Sequence, residues 1–196
     1  MMVVTNFTRK LVNLLTNPIK FFVDVQNEGW LPSFLFFLQV TLVISIATSF
    51  VNYLGIESTD FSSSYQAQIL AYNFLKNLFS YGIYVYLFEM VLIFAFSIPF
   101  IVFLAFFLHL IYRLIGGQGT ILNAWKAACY GAGPCLLGGF LPYISLFAGF
   151  YSFAIQFYLG PMTLYKAKEN RAILVFVVFI TLTFIEMFVL GTTVGF

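Results

Sequence analysis

From residue 81 to residue 114 the chain carries two formal charges, Glu89 and Arg113, and is otherwise almost wholly Phe, Ile, Leu, Val and Tyr. A run of about 18 or more apolar residues has few homes besides a lipid bilayer. In hydrocarbon, backbone amides and carbonyls must be satisfied within the segment itself, which selects a helix. This one run predicts an all-α membrane protein.

The rest of the sequence agrees. Its 62% hydrophobic and 8% charged content departs from the roughly 45–50% and 25% of soluble domains. A soluble fold, a disordered tail and a nucleic-acid binder are thereby excluded. The first 30 residues scatter Arg9, Lys10, Lys20, Asp24 and Glu28 through apolar positions, so no clean signal-peptide core is present. Cys129 and Cys135 stand six apart, about 240° and 9 Å on a helix, too far for a disulfide there.

Five spans are expected, at about 32–54, 81–114, 120–141, 143–164 and 172–192, with a kink at Pro99 and a bend or end at Gly160-Pro161. Residues 1–30 form a separate N-terminal unit, and 31–196 one transmembrane domain. The stretch at about 64–78 holds Gln66, Gln68, Asn73, Lys76 and Asn77 and reads as a polar outer helix. With the N-terminus cytoplasmic and the C-terminus outside, Arg9, Lys10, Lys20, Arg113, Lys126, Lys166, Lys168 and Arg171 lie inside and only Lys76 outside. That is the positive-inside pattern, and the expected location is the cell membrane.

Before the first span, Phe7, Leu11, Leu14 and Leu15 share one helical face. Asn17-Pro18 restarts the helix, and Phe21, Phe22 and Val25 give the second piece an apolar face. Two placements fit: amphipathic helices lying in the inner interface among anionic head groups, or helices packed on the protein's own loops.

Asn17-Pro18-x-x-Phe21-Phe22, Trp30-Leu31-Pro32 and five spans resemble the Yip-one domain family of Ypt/Rab-interacting membrane proteins. The likeness continues through Gly116-Gly117-Gln118-Gly119-Thr120, Ala124, Ala127, Ala128, Tyr130, Gly133-Pro134, the aromatic fourth span and Lys166-Ala167. It covers roughly residues 14–192. The resemblance implies a five-helix bundle with a cytoplasmic N-terminus, and association of eukaryotic members with Rab-type GTPases in trafficking. This chain has no acidic Asp-Leu-x-Gly-Pro stretch near the first span, so GTPase binding is not carried over. Its size and Phe content look more like prokaryotic members.

Intramembrane ionisable groups are functional candidates by default. Glu89 and Glu186 are expected at similar depths in the outer half of their spans, with Gln156 as a mid-membrane partner, and His109 and Lys126 near the inner ends. One reading makes the two carboxylates a shared proton or cation site; the other has each hydrogen-bonded into the packing. Lys126 is expected to snorkel to the inner interface, and no metal site or other cofactor is expected.

Gly131, Gly133, Gly138 and Gly139 with Pro134 suit close helix packing, self-association, or a discontinuous segment. The turn of Gly116, Gly117 and Gly119, with Thr120 as helix N-cap, offers backbone donors to a lipid phosphate among Arg113, Lys126, Lys166, Lys168 and Arg171; a loop cluster that only sets topology has the same residues. No Walker, metalloprotease or nucleophile-elbow motif is present, which points away from enzymes. Two functions remain: an adaptor or organiser whose cytoplasmic face meets lipids, membrane proteins or cytoplasmic partners, and a small transporter or channel built on Glu89 and Glu186.

Overall fold

The computed structural model describes residues 2–53, 83–140 and 144–193, and among them every regular element is helical. In chain order these are α1 (Met2–Thr16), α2 (Pro18–Asp24), α3 (Trp30–Tyr53), α4 (Ile83–Leu114), α5 (Ile121–Gly131), α6 (Cys135–Phe140), α7 (Ser145–Ala154), α8 (Gly160–Leu164) and α9 (Glu169–Thr193). A π turn, Ile155–Leu159, joins α7 to α8. Trp30–Ser49 and Tyr86–Leu114 are long and apolar enough to cross a bilayer. The expected polar helix at 64–78 lies outside the described residues.

Local chemistry explains where helices start and break. Asn17 caps α2 by accepting the Lys20 amide at 3.2 Å, and Pro18 follows at the first helical position, where its missing N–H costs nothing. Pro32 sits in the first turn of α3, tolerated for the same reason. Pro99 lies inside α4, which continues through it.

The segment expected as one helix at 120–141 is two. Pro134 cannot donate to the Tyr130 carbonyl and its ring would crowd it; that carbonyl instead accepts the Gly133 amide at 2.9 Å. Helix α5 therefore ends at Gly131 and α6 restarts at Cys135, which is the discontinuous arrangement. Gly160-Pro161 does not end the helix of the fourth expected span, 143–164. The backbone widens into the π turn just before Pro161 and runs on to Leu164.

The core lies toward one end of the bundle. Helix α5 is nearly enclosed, with Ala124, Ala127, Ala128, Cys129 and Tyr130 fully buried. Around it pack Phe36 and Val40 of α3, Leu108 and Tyr112 of α4, Ile155 of the π turn and Leu164 of α8. Leu14, Phe21, Phe22 and Val25 complete this core, so the apolar faces of α1 and α2 meet protein. The placement of those faces in lipid is corrected: Phe22 and Leu14 have no exposure at all.

Candidate functional site

Besides the apolar contacts of Leu14, Phe21, Phe22 and Val25, the α1–α2 hairpin has a polar clasp. The Lys10 ammonium donates to both oxygens of Glu28, at 2.9 and 2.8 Å, and to Tyr130 Oη at 2.9 Å. Tyr130 in turn donates to Glu28 Oε2 at 2.6 Å. Beside them the Lys126 ammonium donates to the Gln26 carbonyl at 2.7 Å, just past the C-terminal end of α2. A cation there also complements the helix dipole. Tyr151 reaches the hairpin's far end, donating to the Leu15 carbonyl at 3.0 Å.

This corrects the snorkelling expectation for Lys126. Its side chain is 1% exposed, because a loop carbonyl comes to it and replaces the water it would seek. Lys126 is thus absent from the exposed basic group, and it ties the N-terminal unit to α5.

A second polar seam joins the helices at the same end of the bundle. Tyr112 donates to the Gln156 carbonyl and Ser152 to the Gly131 carbonyl, two backbone groups beside the π turn and the helix break. His109 pairs through Nδ1 with the Tyr165 hydroxyl, which donates to the Thr120 carbonyl at 2.6 Å. Asn123 donates to the Leu164 carbonyl at 3.0 Å. Broken helices free carbonyls, and here side chains from neighbouring helices satisfy them. Gln156 is buried with its side chain against Gly131.

The glycine turn is a packing device. Gly116, at φ +85°, adopts a backbone that L side chains rarely take. A Cβ on Gly117 would stand 2.7 Å from the Tyr112 carbonyl and 2.8 Å from Tyr165 Cβ, and one on Gly119 would meet the Tyr165 ring. The amides expected to be available for a phosphate are largely engaged: Gly116 donates to Arg113, Gly117 to Tyr112 and Gln118 to Tyr165, each at 2.9 Å. Thr120 is the N-cap of α5 without a side-chain cap bond. What the turn does present is charge. Arg113, Lys166, Lys168 and Arg171 are all exposed around it, with Arg171 fixed by donating to the Ile115 carbonyl at 2.9 Å. Lys166 takes φ 52°, turning the chain between α8 and α9.

Glu89 is half-buried on α4; Glu186 lies on α9, with its side chain outside the described residues. Phe107 meets Phe179 edge-on at 5.8 Å, and Arg171 holds Ile115, which fixes α4 antiparallel to α9. Gly133 and Pro134 are buried at the helix break and Gly138 is half-buried on α6. Gly139 also lies on α6, but its surroundings are outside what is described.

The clasp was not foreseen from sequence. Lys10 and Glu28 are 18 residues apart, and a loop carbonyl leaves no mark in a sequence. A model of the Yip1 domain matches residues 12–190 of the chain, from the hairpin to the last helix. No curated protein and no solved structure matches it.

Proposed function

The chain belongs to the Yip1 domain family, and on that premise we propose that it is a non-enzymatic, five-span adaptor or organiser that works through its cytoplasmic face. In this reading the N-terminus and the glycine turn face the cytoplasm and the last helix ends outside. The spans are α3, α4, the α5–α6 pair, the α7–α8 pair and α9.

The observation that carries the proposal is the exposed cluster of Arg113, Lys166, Lys168 and Arg171 on a rigidly packed end of the bundle. Four cations held at one end, beside a turn sealed by Tyr165, suit anionic head groups or an acidic partner surface at the membrane. Amides engaged within the turn leave recognition to these side chains.

The test is thermal stability of the purified protein in nanodiscs with and without anionic phospholipid. The proposal expects anionic lipid to raise Tm, and a combined Arg113→Gln, Lys166→Gln, Lys168→Gln variant to lose that increment while keeping its Tm in zwitterionic lipid. Proton or cation flux into liposomes that Glu89→Gln or Glu186→Gln abolishes, with folding intact, would establish the transporter instead.

A further inference from the structure

The two sides of the inner half of the bundle offer the membrane different surfaces at the same height. Tyr112 on α4, Ala127 on α5 and Gly160 on α8 lie side by side: a Cβ on Gly160 would stand 2.6 Å from Tyr112 Oη and 3.1 Å from Ala127 Cβ. Lys126, adjacent in sequence, holds Gln26, so the base of the hairpin is at this level. Its tip is farther up. Leu14 packs against Gly133, 2.7 Å from where a Cβ would be, and the Leu15 carbonyl bonds Tyr151. Six residues separate Ala127 from Gly133 and nine separate Gly160 from Tyr151, so the tip stands about 9–14 Å above the base at 1.5 Å per residue.

The same climb along α4 runs from Tyr112 to between Phe106 and Phe103. There the surface is hydrocarbon: Leu110 is 61% exposed, Phe106 60% and Phe103 67%. At matching height the hairpin exposes Arg9, Asn13, Thr16 and Lys20, interspersed with Val12 and Ile19, while Val23 and Asp24 lie lower, beside the base. A flat leaflet cannot suit both sides. If its boundary sits at Arg113, the hairpin's charges and amides lie in acyl chains, which is costly; a bilayer adapts to such mismatch by local thinning.

We propose that the outward face of the α1–α2 hairpin binds inner-leaflet phospholipid head groups, drawn about two helical turns above their level at α4. Arg9 and Lys20 meet the lipid phosphates, and Val12 and Ile19 meet the acyl chains just above them, as in an interfacial helix. The thinning is one-sided, because the clasp fixes the hairpin to one flank. This deepens the cytoplasmic-face reading and rests on its orientation.

Bimane placed on single cysteines in a Cys129→Ala, Cys135→Ala background tests it, with the full chain in phospholipid vesicles. Asn13→Cys and Thr16→Cys report the hairpin, Phe106→Cys reports α4, and Lys168→Cys reports the basic end. Each is challenged with a lipid carrying a nitroxide on its head group and with one carrying it at mid-chain. The proposal expects head-group quenching to exceed mid-chain quenching at least twofold at Asn13 and Thr16, with the order reversed at Phe106. Mid-chain quenching that dominates at all three sites overturns it, since the hairpin would then lie in hydrocarbon. So does Asn13 shielded from both lipids, which would put protein over that face, or head-group quenching that dominates at Phe106 as well. Lys168 separates the two ideas: if it is quenched from mid-chain and shielded from aqueous iodide, the orientation under the proposed function fails. If Lys168 is water-exposed while Asn13 behaves as Phe106 does, only the head-group surface fails.

Discussion

Helices α4 and α5 invert the rule that governs proteins in water. The first is the long apolar run, with Phe96, Phe100, Phe103 and Phe106 each at least 60% exposed. The second carries Asn123, Lys126 and a set of small residues, and seven of its residues are buried, the lysine among them. In water the more apolar helix would be inside. Here hydrophobic side chains are no guide to burial, because lipid suits them as well as a core does. Small residues and satisfied polar groups mark the interior instead, since close packing and internal hydrogen bonds are what join helices in a bilayer.

Five substitutions and one double variant break or sharpen this contrast, taken from the largest effect downward. Phe103→Lys places a charge where α4 faces acyl chains, at a cost of about 3 kcal/mol to insertion. A glycosylation-reporter insertion assay should show less of the span inserted; unchanged insertion would mean that Phe103 faces water or protein. Gly117→Ala forces a Cβ into the Tyr112 carbonyl, a backbone atom that cannot swing aside. Overpacking of this kind costs about 2–3 kcal/mol and should appear as a Tm in mild detergent well below that of the parent.

Tyr112→Phe removes the donor to the Gln156 carbonyl and leaves that group buried and unsatisfied, at a cost of about 1–3 kcal/mol. Ser152→Ala does the same for the Gly131 carbonyl; each should lower Tm, and an unshifted Tm in both would show that water serves these carbonyls. Lys10→Met should have the smallest effect, about 1 kcal/mol or less, because its pair with Glu28 is partly exposed. A matched Glu28→Gln, Lys10→Met double variant should recover part of that loss in the same melts. No recovery would mean that the two side chains act independently.

The α4–α5 contrast also explains which parts of the fold were legible in the sequence. Long apolar runs declare helices whatever surrounds them, so α3, α4 and α9 could be placed within a few residues. Pro134 offered the break between α5 and α6 only as one reading beside close packing, and the expected helix at 120–141 ran through it, although a missing N–H acts locally. The turn at Gly116–Gly119 was visible as a turn, but Tyr165, the ring that demands its glycines, is some 45 residues away. The hairpin was the hardest part. Phe7, Leu11 and Leu14 make the same stripe whether they face lipid or Tyr130 and Gly133, and only the long-range pairing decides. Lys126 was misjudged for the same reason: a lone lysine in an apolar helix snorkels unless some carbonyl comes to it, and the Gln26 carbonyl does.

The central claim is that the N-terminal hairpin is an integral part of the packed end of the bundle. Hydrogen–deuterium exchange of the protein in nanodiscs tests it most directly. Docking predicts amides of residues 19–25 protected as strongly as those of 124–131, with Lys126→Ala loosening 19–25 first. Exchange of 19–25 at the rate of a free peptide, with 124–131 still protected, would contradict the account.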